Sequence, residues 1–171
     1  MAEDFPKYKV ILAGEGAVGK TTLINRFITG SFTTDYKATI GVQILSKKLI
    51  IEEKEVTLQI WDLAGQRFFR KIRSKFYRNA NGALLVFDLT VPLSLYNLRN
   101  WITDIKQIAK DIPFVLIGNK KDLTNLQSIS AEDISEFLMS NNSDIKAYYD
   151  TSALSGENVE KSFLDLVNYM V

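Results

Sequence analysis

The stretch that decides the fold is Gly14-Glu15-Gly16-Ala17-Val18-Gly19-Lys20-Thr21. It follows an apolar run at residues 10–13 and precedes a segment of helical period at residues 22–29. Between a buried strand and a helix, such a loop can wrap its N–H groups around phosphate, and the helix N-terminus attracts the same anion. The alternative is a glycine-rich turn that binds nothing. The strand–loop–helix context favours a phosphate-binding loop.

The chemistry of this loop assigns roles to its last residues. Lys20 would reach the β- and γ-phosphates of a nucleotide, and the Thr21 hydroxyl would ligate Mg²⁺. The glycines allow the backbone to approach the phosphates closely. The residues expected to surround the phosphates are Gly14, Gly16, Ala17, Val18, Gly19, Lys20, Thr21 and Thr22.

Hydropathy patterns outside the loop predict an α/β domain. Continuous apolar runs at residues 10–13, 83–87 and 114–117 are typical of strands buried on both faces of a parallel sheet. Val42–Ile51 and the alternating segment 56–61, separated by polar residues 52–54, indicate an antiparallel hairpin. Helical spacing recurs at 95–105 and 159–170, and Ser130 is a plausible N-cap for a helix over Ala131–Ser140.

We therefore predict a P-loop NTPase fold in a single domain over residues 1–171. It is a three-layer α/β sandwich, whose six-stranded, mainly parallel sheet has one antiparallel strand and about five helices. Ligands of such sheets bind beyond the carboxyl ends of the strands, which is where the motifs fall.

The motif that indicates the base of the bound nucleotide is Asn119-Lys120-Lys121-Asp122, which directly follows a predicted buried strand. The Asp122 carboxylate offers two acceptors that match the N1–H and exocyclic amine of guanine. Adenine presents an acceptor at N1, and an unpaired buried carboxylate costs about 1–3 kcal/mol or more. Asn119 can hold the loop and the base edge, with the Lys120 stem along the ring. Alone this motif is a common polar turn, but downstream of a phosphate loop it indicates guanine.

A second motif, Thr151-Ser152-Ala153, follows a predicted strand end. Its small residues would let backbone N–H groups approach the carbonyl of the base. By itself the motif predicts little more than a turn.

The residues predicted to take part in hydrolysis lie at the end of the half-buried strand and just after it. Asp62 would hold Mg²⁺ through water, the Gly65 N–H can meet a γ-phosphate, and Gln66 can orient the attacking water. The alternatives are a strand-end cap for Asp62 and a solvated loop residue for Gln66. Thr39 is a candidate second hydroxyl ligand. The predicted catalytic residues are Gln66, Lys20, Thr39 and Gly65, and the predicted metal ligands are Thr21, Thr39 and Asp62.

In order and spacing these motifs resemble the Ras superfamily of small GTPases, and most closely its Rab branch. The resemblance covers residues 8–170 and includes Phe76-Tyr77-Arg78-Asn79-Ala80. It implies that Phe32 stacks edge-on against guanine and that Tyr36 closes over the phosphates. It also implies two nucleotide-sensing segments, switch I at residues 32–42 and switch II at residues 64–78.

The implied function is a Mg²⁺-dependent switch that binds GTP and GDP and hydrolyses GTP slowly. Through the switches it would bind effectors, exchange factors and GTPase-activating proteins, in trafficking or signalling. Of the departures from the family, two bear on base binding and nucleotide exchange. Leu154 stands where a lysine usually packs on the base, so that contact changes, and Arg67 replaces the acid that follows the glutamine. Nucleotide exchange that relies on that acid is therefore in doubt.

The amino-acid composition excludes several kinds of site and membrane anchor. The chain contains no histidine and no cysteine, which excludes disulfides, thiolate metal sites and cysteine lipidation. No apolar run approaches the roughly 20 residues of a membrane span, and residues 1–4 lack a signal sequence. Because Ala2 stands where N-myristoylation requires a glycine, we expect no myristoyl anchor. We expect a cytoplasmic monomer, peripheral at membranes if a lipidated tail has been removed.

Switch II is strongly basic. Its cations are Arg67, Arg70, Lys71, Arg73, Lys75 and Arg78, with no acid between them. A solvated helix face is the commoner explanation of such a run, and a surface for an acidic partner or an anionic membrane is the alternative. We expect no nucleic acid, because the net charge is only +1 and no recognisable module interleaves aromatic residues.

Two other kinds of function fit parts of the pattern. A metabolic P-loop enzyme would need a domain or lid for its acceptor substrate, and Asp122 argues against ATP. A non-hydrolysing module that keeps nucleotide as a structural part is the second, and Gln66 and Thr39 argue against it. Single-turnover hydrolysis separates this second case from a GTPase.

Overall fold

The computed structural model describes residues 5–35, 37–141 and 144–171. The strands are β1 (Lys7–Ala13), β2 (Val42–Ile51), β3 (Lys54–Leu63), β4 (Gly82–Asp88), β5 (Phe114–Asn119) and β6 (Ile145–Asp150). They form one sheet of order β2-β3-β1-β4-β5-β6, in which only β2 runs antiparallel to its neighbour. The predicted sheet is confirmed.

Helices cover both faces of this sheet. They are α1 (Lys20–Thr29), α2 (Arg70–Arg73), α3 (Pro92–Tyr96), α4 (Leu98–Lys106), α5 (Ala131–Ser140) and α6 (Val159–Met170). Because α3 and α4 are separated only by Asn97, they form one interrupted helix, so the described residues match the predicted number of about five.

Two apolar cores explain the three layers. On one face, α1 and α6 pack on the sheet, and the rings of Phe27 and Phe163 stack with centroids 4.1 Å apart. On the other face, α4 and α5 bury side chains such as Trp101 and Phe137. The central strands β4 and β5 are buried throughout, as their continuous apolar runs predict.

The hairpin departs slightly from expectation. Lys54 belongs to β3 and pairs with Ile51, so the loop is only Glu52 and Glu53. Both have positive φ, 48° and 65°, the left-handed backbone that a two-residue hairpin turn needs.

Strand register brings the motifs together at one edge. Leu12 lies beside Asp62, Asp88 beside Asn119, and Gly118 beside Asp150. Parallel strands carry these positions to their common carboxyl edge, where a ligand is expected. In the described ranges, no helix combines the length and apolar character needed to cross a membrane.

Ser130→Ala is expected to lower the free energy of unfolding by about 1 kcal/mol. The Ser130 hydroxyl accepts from the Asp133 N–H at 3.1 Å and the Asp133 carboxylate accepts from the Ser130 N–H, forming the capping box of α5. Urea unfolding measures the change. Ser135→Ala, at an exposed position inside α5, is the control and should be neutral or slightly stabilising. Equal effects of the two variants would contradict the capping role.

Candidate functional site

The loop between β1 and α1 can be built only with glycine at two positions. Gly14 and Gly19 have φ of 151° and 99°. A Cβ on Gly14 would lie 2.1 Å from the Val86 carbonyl oxygen, and one on Gly19 would lie 2.3 Å from Asn119 Nδ2. These glycines allow the loop to lie tightly against β4 and β5.

Lys20 is a buried cation held by this loop. Its Nζ donates to the carbonyls of Gly14 and Glu15, both at 2.8 Å. Burial lowers the pKa of Lys20 to about 8, although the nearby Asp62 carboxylate acts in the opposite direction. A phosphate group beside the ammonium would favour its charged form.

Three oxygen-bearing side chains meet beside Lys20. The Thr21 hydroxyl donates to Asp62 Oδ2 at 2.5 Å and lies 2.9 Å from the Thr39 hydroxyl, which donates to the same carboxylate oxygen at 3.3 Å. Asp62 is fully buried, its Oδ1 has no hydrogen-bond partner, and burial raises its pKa. Two hydroxyls and a carboxylate oxygen without a partner are hard oxygen donors and fit Mg²⁺.

The described residues hold no cluster of three or more His, Cys, Asp or Glu side chains that could bind a metal. Mg²⁺ at this site would thus take further ligands from phosphate or water. Thr21, Thr39 and Asp62 therefore suit a Mg²⁺ ion that binds together with a nucleotide.

Asn119 joins the predicted base-binding end of the site to the predicted phosphate loop. Its Nδ2 donates to the Val18 carbonyl at 3.0 Å, and its Oδ1 accepts from the Thr151 hydroxyl at 3.1 Å. Lys120 Nζ donates to the Ala17 carbonyl at 2.8 Å and pairs with Asp88 at 2.6 Å. These contacts join β5 to the loop, so the two motifs form one site.

Asp122 is held by Ser152. The Ser152 hydroxyl donates to Asp122 Oδ1 at 2.7 Å and accepts from the Ser155 N–H at 3.1 Å. Asp122, Ala153 and Leu154 border the same cavity. The two base motifs, thirty residues apart in sequence, therefore face one ligand space.

That cavity has a volume of about 370 Å³. Sequence-predicted residues that line it are Gly19, Thr21, Thr22, Phe32, Asn119, Lys120, Asp122, Ala153 and Leu154. A smaller cavity of about 30 Å³ continues along the loop. Sequence-predicted residues that line the smaller one are Gly16, Ala17, Gly19, Lys20, Thr21, Thr22, Thr39, Gly65 and Gln66.

Four predicted residues line neither cavity. Gly14, Val18, Asp62 and Ser152 instead hold the residues that do, through the contacts given above. Tyr36, predicted to cover the phosphates, lies outside the described residues.

Several side chains at the site were not among the predicted site residues, including Asn25, Lys37 and Asp88. Lys37 lines both cavities and Asn25 the larger one. Asp88 pairs with Lys120, and its position at the carboxyl end of a buried strand is a signal that could have found it. Lys37 lies within the predicted switch I, which is a signal that could have found it, whereas no comparable signal marks Asn25.

The basic run in switch II is not a uniform surface, which corrects the sequence-based interpretation. Arg73 is buried, with 4% of its surface exposed. Arg70 forms a bidentate pair with Asp104 at 2.9 and 3.0 Å. Arg70 remains exposed over 49% of its side chain, but its charge is paired, and Arg67, Lys71, Lys75 and Arg78 provide the rest of the exposed cationic surface.

Comparisons with known proteins agree with this geometry. The family model described as Ras family matches residues 9–171. The chain is 44% identical to Ras-related protein RABA4d of Arabidopsis thaliana over 94% of its own length and 71% of that protein.

Two further relatives give the same result. Ras-related protein Rab7 of Drosophila melanogaster is 42% identical, with 91% of this chain and 76% of that protein covered. GTP-binding protein ypt3 of Schizosaccharomyces pombe is 38% identical, with 91% and 72% covered. With a family match over nearly the whole chain and several relatives this similar, the chain belongs to the Ras family of small GTPases, in its Rab branch.

Proposed function

We propose that the protein binds GTP and GDP with Mg²⁺, hydrolyses GTP slowly and acts as a switch. The observation that carries the proposal is the meeting of the Thr21 and Thr39 hydroxyls at Asp62, beside the buried Lys20. At the other end of the same ligand space, Asp122 offers a carboxylate to the base. One end suits a Mg²⁺–phosphate group and the other suits guanine.

The loop and its lysine do the phosphate chemistry. Lys20 would hold the β- and γ-phosphates, while Thr21, Thr39 and Asp62 would hold Mg²⁺. When bound, Mg²⁺ neutralises negative charge on the phosphates. Thr39 belongs to switch I and Gly65 to switch II, so loss of the γ-phosphate would release both segments.

Hydrolysis would be slow without a partner. Gln66 lines the smaller cavity and would orient the attacking water. Among the described residues no arginine lines either cavity, so the chain offers no cation of that type to the γ-phosphate. We expect an intrinsic rate on the order of 10⁻⁴–10⁻² s⁻¹, with a GTPase-activating protein setting the lifetime of the active state.

Partner proteins would bind at the surface formed by switch I and switch II. Ile40 is exposed in switch I and Ile44 just after it, and Phe68 and Ile72 are exposed in switch II, as suits an apolar effector surface. The exposed cations named above add a surface for an acidic partner or an anionic membrane. Membership in the Rab branch supports a role in membrane trafficking, at the cytoplasmic face of membranes.

The proposed function is tested with purified protein in two steps. The nucleotide released by denaturation is identified by chromatography, and single-turnover hydrolysis of GTP is then measured with Mg²⁺ and with EDTA. We expect GDP or GTP to be released, and slow Mg²⁺-dependent hydrolysis. Bound guanine nucleotide that is never hydrolysed would support a structural nucleotide instead, and bound ATP would overturn the base assignment.

Thr21→Asn should weaken binding of Mg²⁺–GTP about tenfold more than that of Mg²⁺–GDP. The longer amide would displace a hydroxyl that contacts Asp62 at 2.5 Å, and the loss should matter more for GTP, because the triphosphate carries more negative charge for Mg²⁺ to neutralise. Titration with fluorescent analogues of both nucleotides measures the difference.

The control for Thr21→Asn is Thr29→Asn at the end of α1, where the hydroxyl contacts only the Asn25 carbonyl and Ser31. It should leave both affinities close to those of the wild type. Equal losses of GTP and GDP affinity in Thr21→Asn would remove Thr21 from the metal site.

A further inference from the structure

Arg73 joins switch II to the phosphate loop through a stacked tryptophan. The Arg73 guanidinium lies 3.7 Å from the centroid of the Trp101 ring. Trp101 is buried in α4, and its Nε1 donates to Glu15 Oε1 in the phosphate loop at 3.2 Å. The guanidinium is therefore held on a plane that the loop itself orients.

The other contacts of Arg73 flank the nucleotide-sensing glycine. Arg73 Nη1 donates to the Ala64 carbonyl at 3.0 Å and to the Gln66 carbonyl at 3.1 Å. In a planar trans peptide the carbonyl and the following N–H point in opposite directions. By fixing the Ala64 carbonyl, Arg73 fixes the Gly65 N–H on the side away from itself.

Gly65 needs such a restraint. It lines the smaller nucleotide cavity on one side, and on the other a cavity of about 290 Å³ that also contacts Arg73 and Trp101. A Cβ on Gly65 would lie 2.4 Å from the Glu15–Gly16 peptide, so only glycine fits there. Because glycine has little backbone preference and open space lies beside it, the peptide could turn away from the phosphates.

We propose that Arg73 is a positioning residue for GTP hydrolysis, which holds the Ala64–Gly65 peptide and the Gln66 backbone in the orientation that faces the γ-phosphate. Trp101 and Glu15 set the position of its guanidinium. Arg73 touches neither nucleotide cavity and acts only through the residues that do. This role rests on the proposed GTPase function.

The test compares Arg73→Lys, Arg73→Ala and Trp101→Leu with the wild type and with Gln66→Leu. Lysine keeps the charge but has no plane to stack on Trp101. The matched control is Arg99→Lys, because Arg99 also lies over an aromatic ring, that of Tyr96 at 5.1 Å, but on the exposed surface of α4. Single-turnover GTP hydrolysis and GDP affinity are measured for every variant.

We expect hydrolysis to fall about tenfold in the Arg73 and Trp101 variants, since misplacing a group that meets the transition state costs rate and not ground-state binding. GDP affinity should stay within about twofold of the wild type. Arg73→Lys combined with Trp101→Leu should be little slower than the slower single variant, since both remove one restraint. Arg99→Lys should match the wild type.

Tryptophan fluorescence tests the contact between Arg73 and Trp101 without relying on the rate of GTP hydrolysis. The chain has two tryptophans, so in a Trp61→Phe background Trp101 alone reports. Its emission should change on Arg73→Lys and stay constant on Arg99→Lys. Unchanged Trp101 emission in Arg73→Lys would overturn the stacked restraint.

The remaining outcomes separate the two proposals. A wild type that binds but never hydrolyses GTP overturns the proposed GTPase and this role with it. A wild type that hydrolyses GTP no faster than Arg73→Lys and Arg73→Ala overturns this role alone. A fall in GDP affinity as large as the fall in rate would make Arg73 a general structural residue, and also overturns it.

Discussion

Asp122→Asn is expected to weaken GTP binding by about a hundredfold and to improve binding of xanthosine triphosphate. The asparagine amide keeps one acceptor but turns a donor toward the exocyclic amine of guanine, which is also a donor. Xanthine carries a carbonyl at that position and can accept from the new amide. Ser152, which donates to Asp122 Oδ1 at 2.7 Å, holds the side chain for this pairing. Titration calorimetry with both nucleotides measures the exchange of preference.

The control for this change is Asp35→Asn. Asp35 borders the same cavity, so its amide variant removes the same charge without touching the proposed base contact. It should cost only a small part of the GTP affinity and gain none for xanthosine triphosphate. If Asp35→Asn loses as much as Asp122→Asn, general electrostatics and not base pairing would explain the loss.

Gln66→Leu is expected to slow single-turnover GTP hydrolysis by at least about tenfold while GDP and GTP affinities stay nearly constant. Gln66 Oε1 is buried without a hydrogen-bond partner, and the side chain borders the smaller cavity beside Gly16. Leucine has a similar size but cannot orient water. A change confined to rate is the mark of an interaction made in the transition state.

Two companion variants sharpen this test. Gln107→Leu, at an exposed position after α4, makes the same substitution away from both cavities and should leave the rate unchanged. Gly16→Val should slow hydrolysis too, because a Cβ on Gly16 already reaches within 3.8 Å of the Gln66 side chain and the added methyl groups would displace it. Equal rates for Gln66→Leu and the wild type would show that Gln66 does not orient the water.

Much of the fold was predictable because its signals are local. Continuous apolar runs marked β4 and β5, alternation marked β3, and Ser130 marked the start of α5. The glycines of the phosphate loop are required by backbone geometry within a few residues, so the loop too can be recognised from sequence. The interruption of the helix at Asn97 and the length of the hairpin turn are finer details that local patterns did not contain.

The environments of the switch II cations could not be predicted from the sequence. Its cations were interpreted as one face, yet Arg73 lies on Trp101 and Arg70 pairs with Asp104, both partners from α4. Neither partner is near these arginines in sequence, so no pattern within switch II could predict that Arg73 is buried or that Arg70 is paired. Burial of an arginine is decided by what packs over it, which is a property of the assembled fold.

The amino-acid sequence by itself determined the class of the protein, the order of its strands and helices, and the residue types that suit phosphate, Mg²⁺ and guanine. Those properties follow from periodicity and from motifs that are each contiguous in the chain. Only the tertiary structure decided that Asp88 holds Lys120, that Arg70 pairs with Asp104, and that Arg73 holds the carbonyls beside Gly65. The physical reason is that these contacts join separate strands, loops and helices, whose distances are set by sheet register and helix packing.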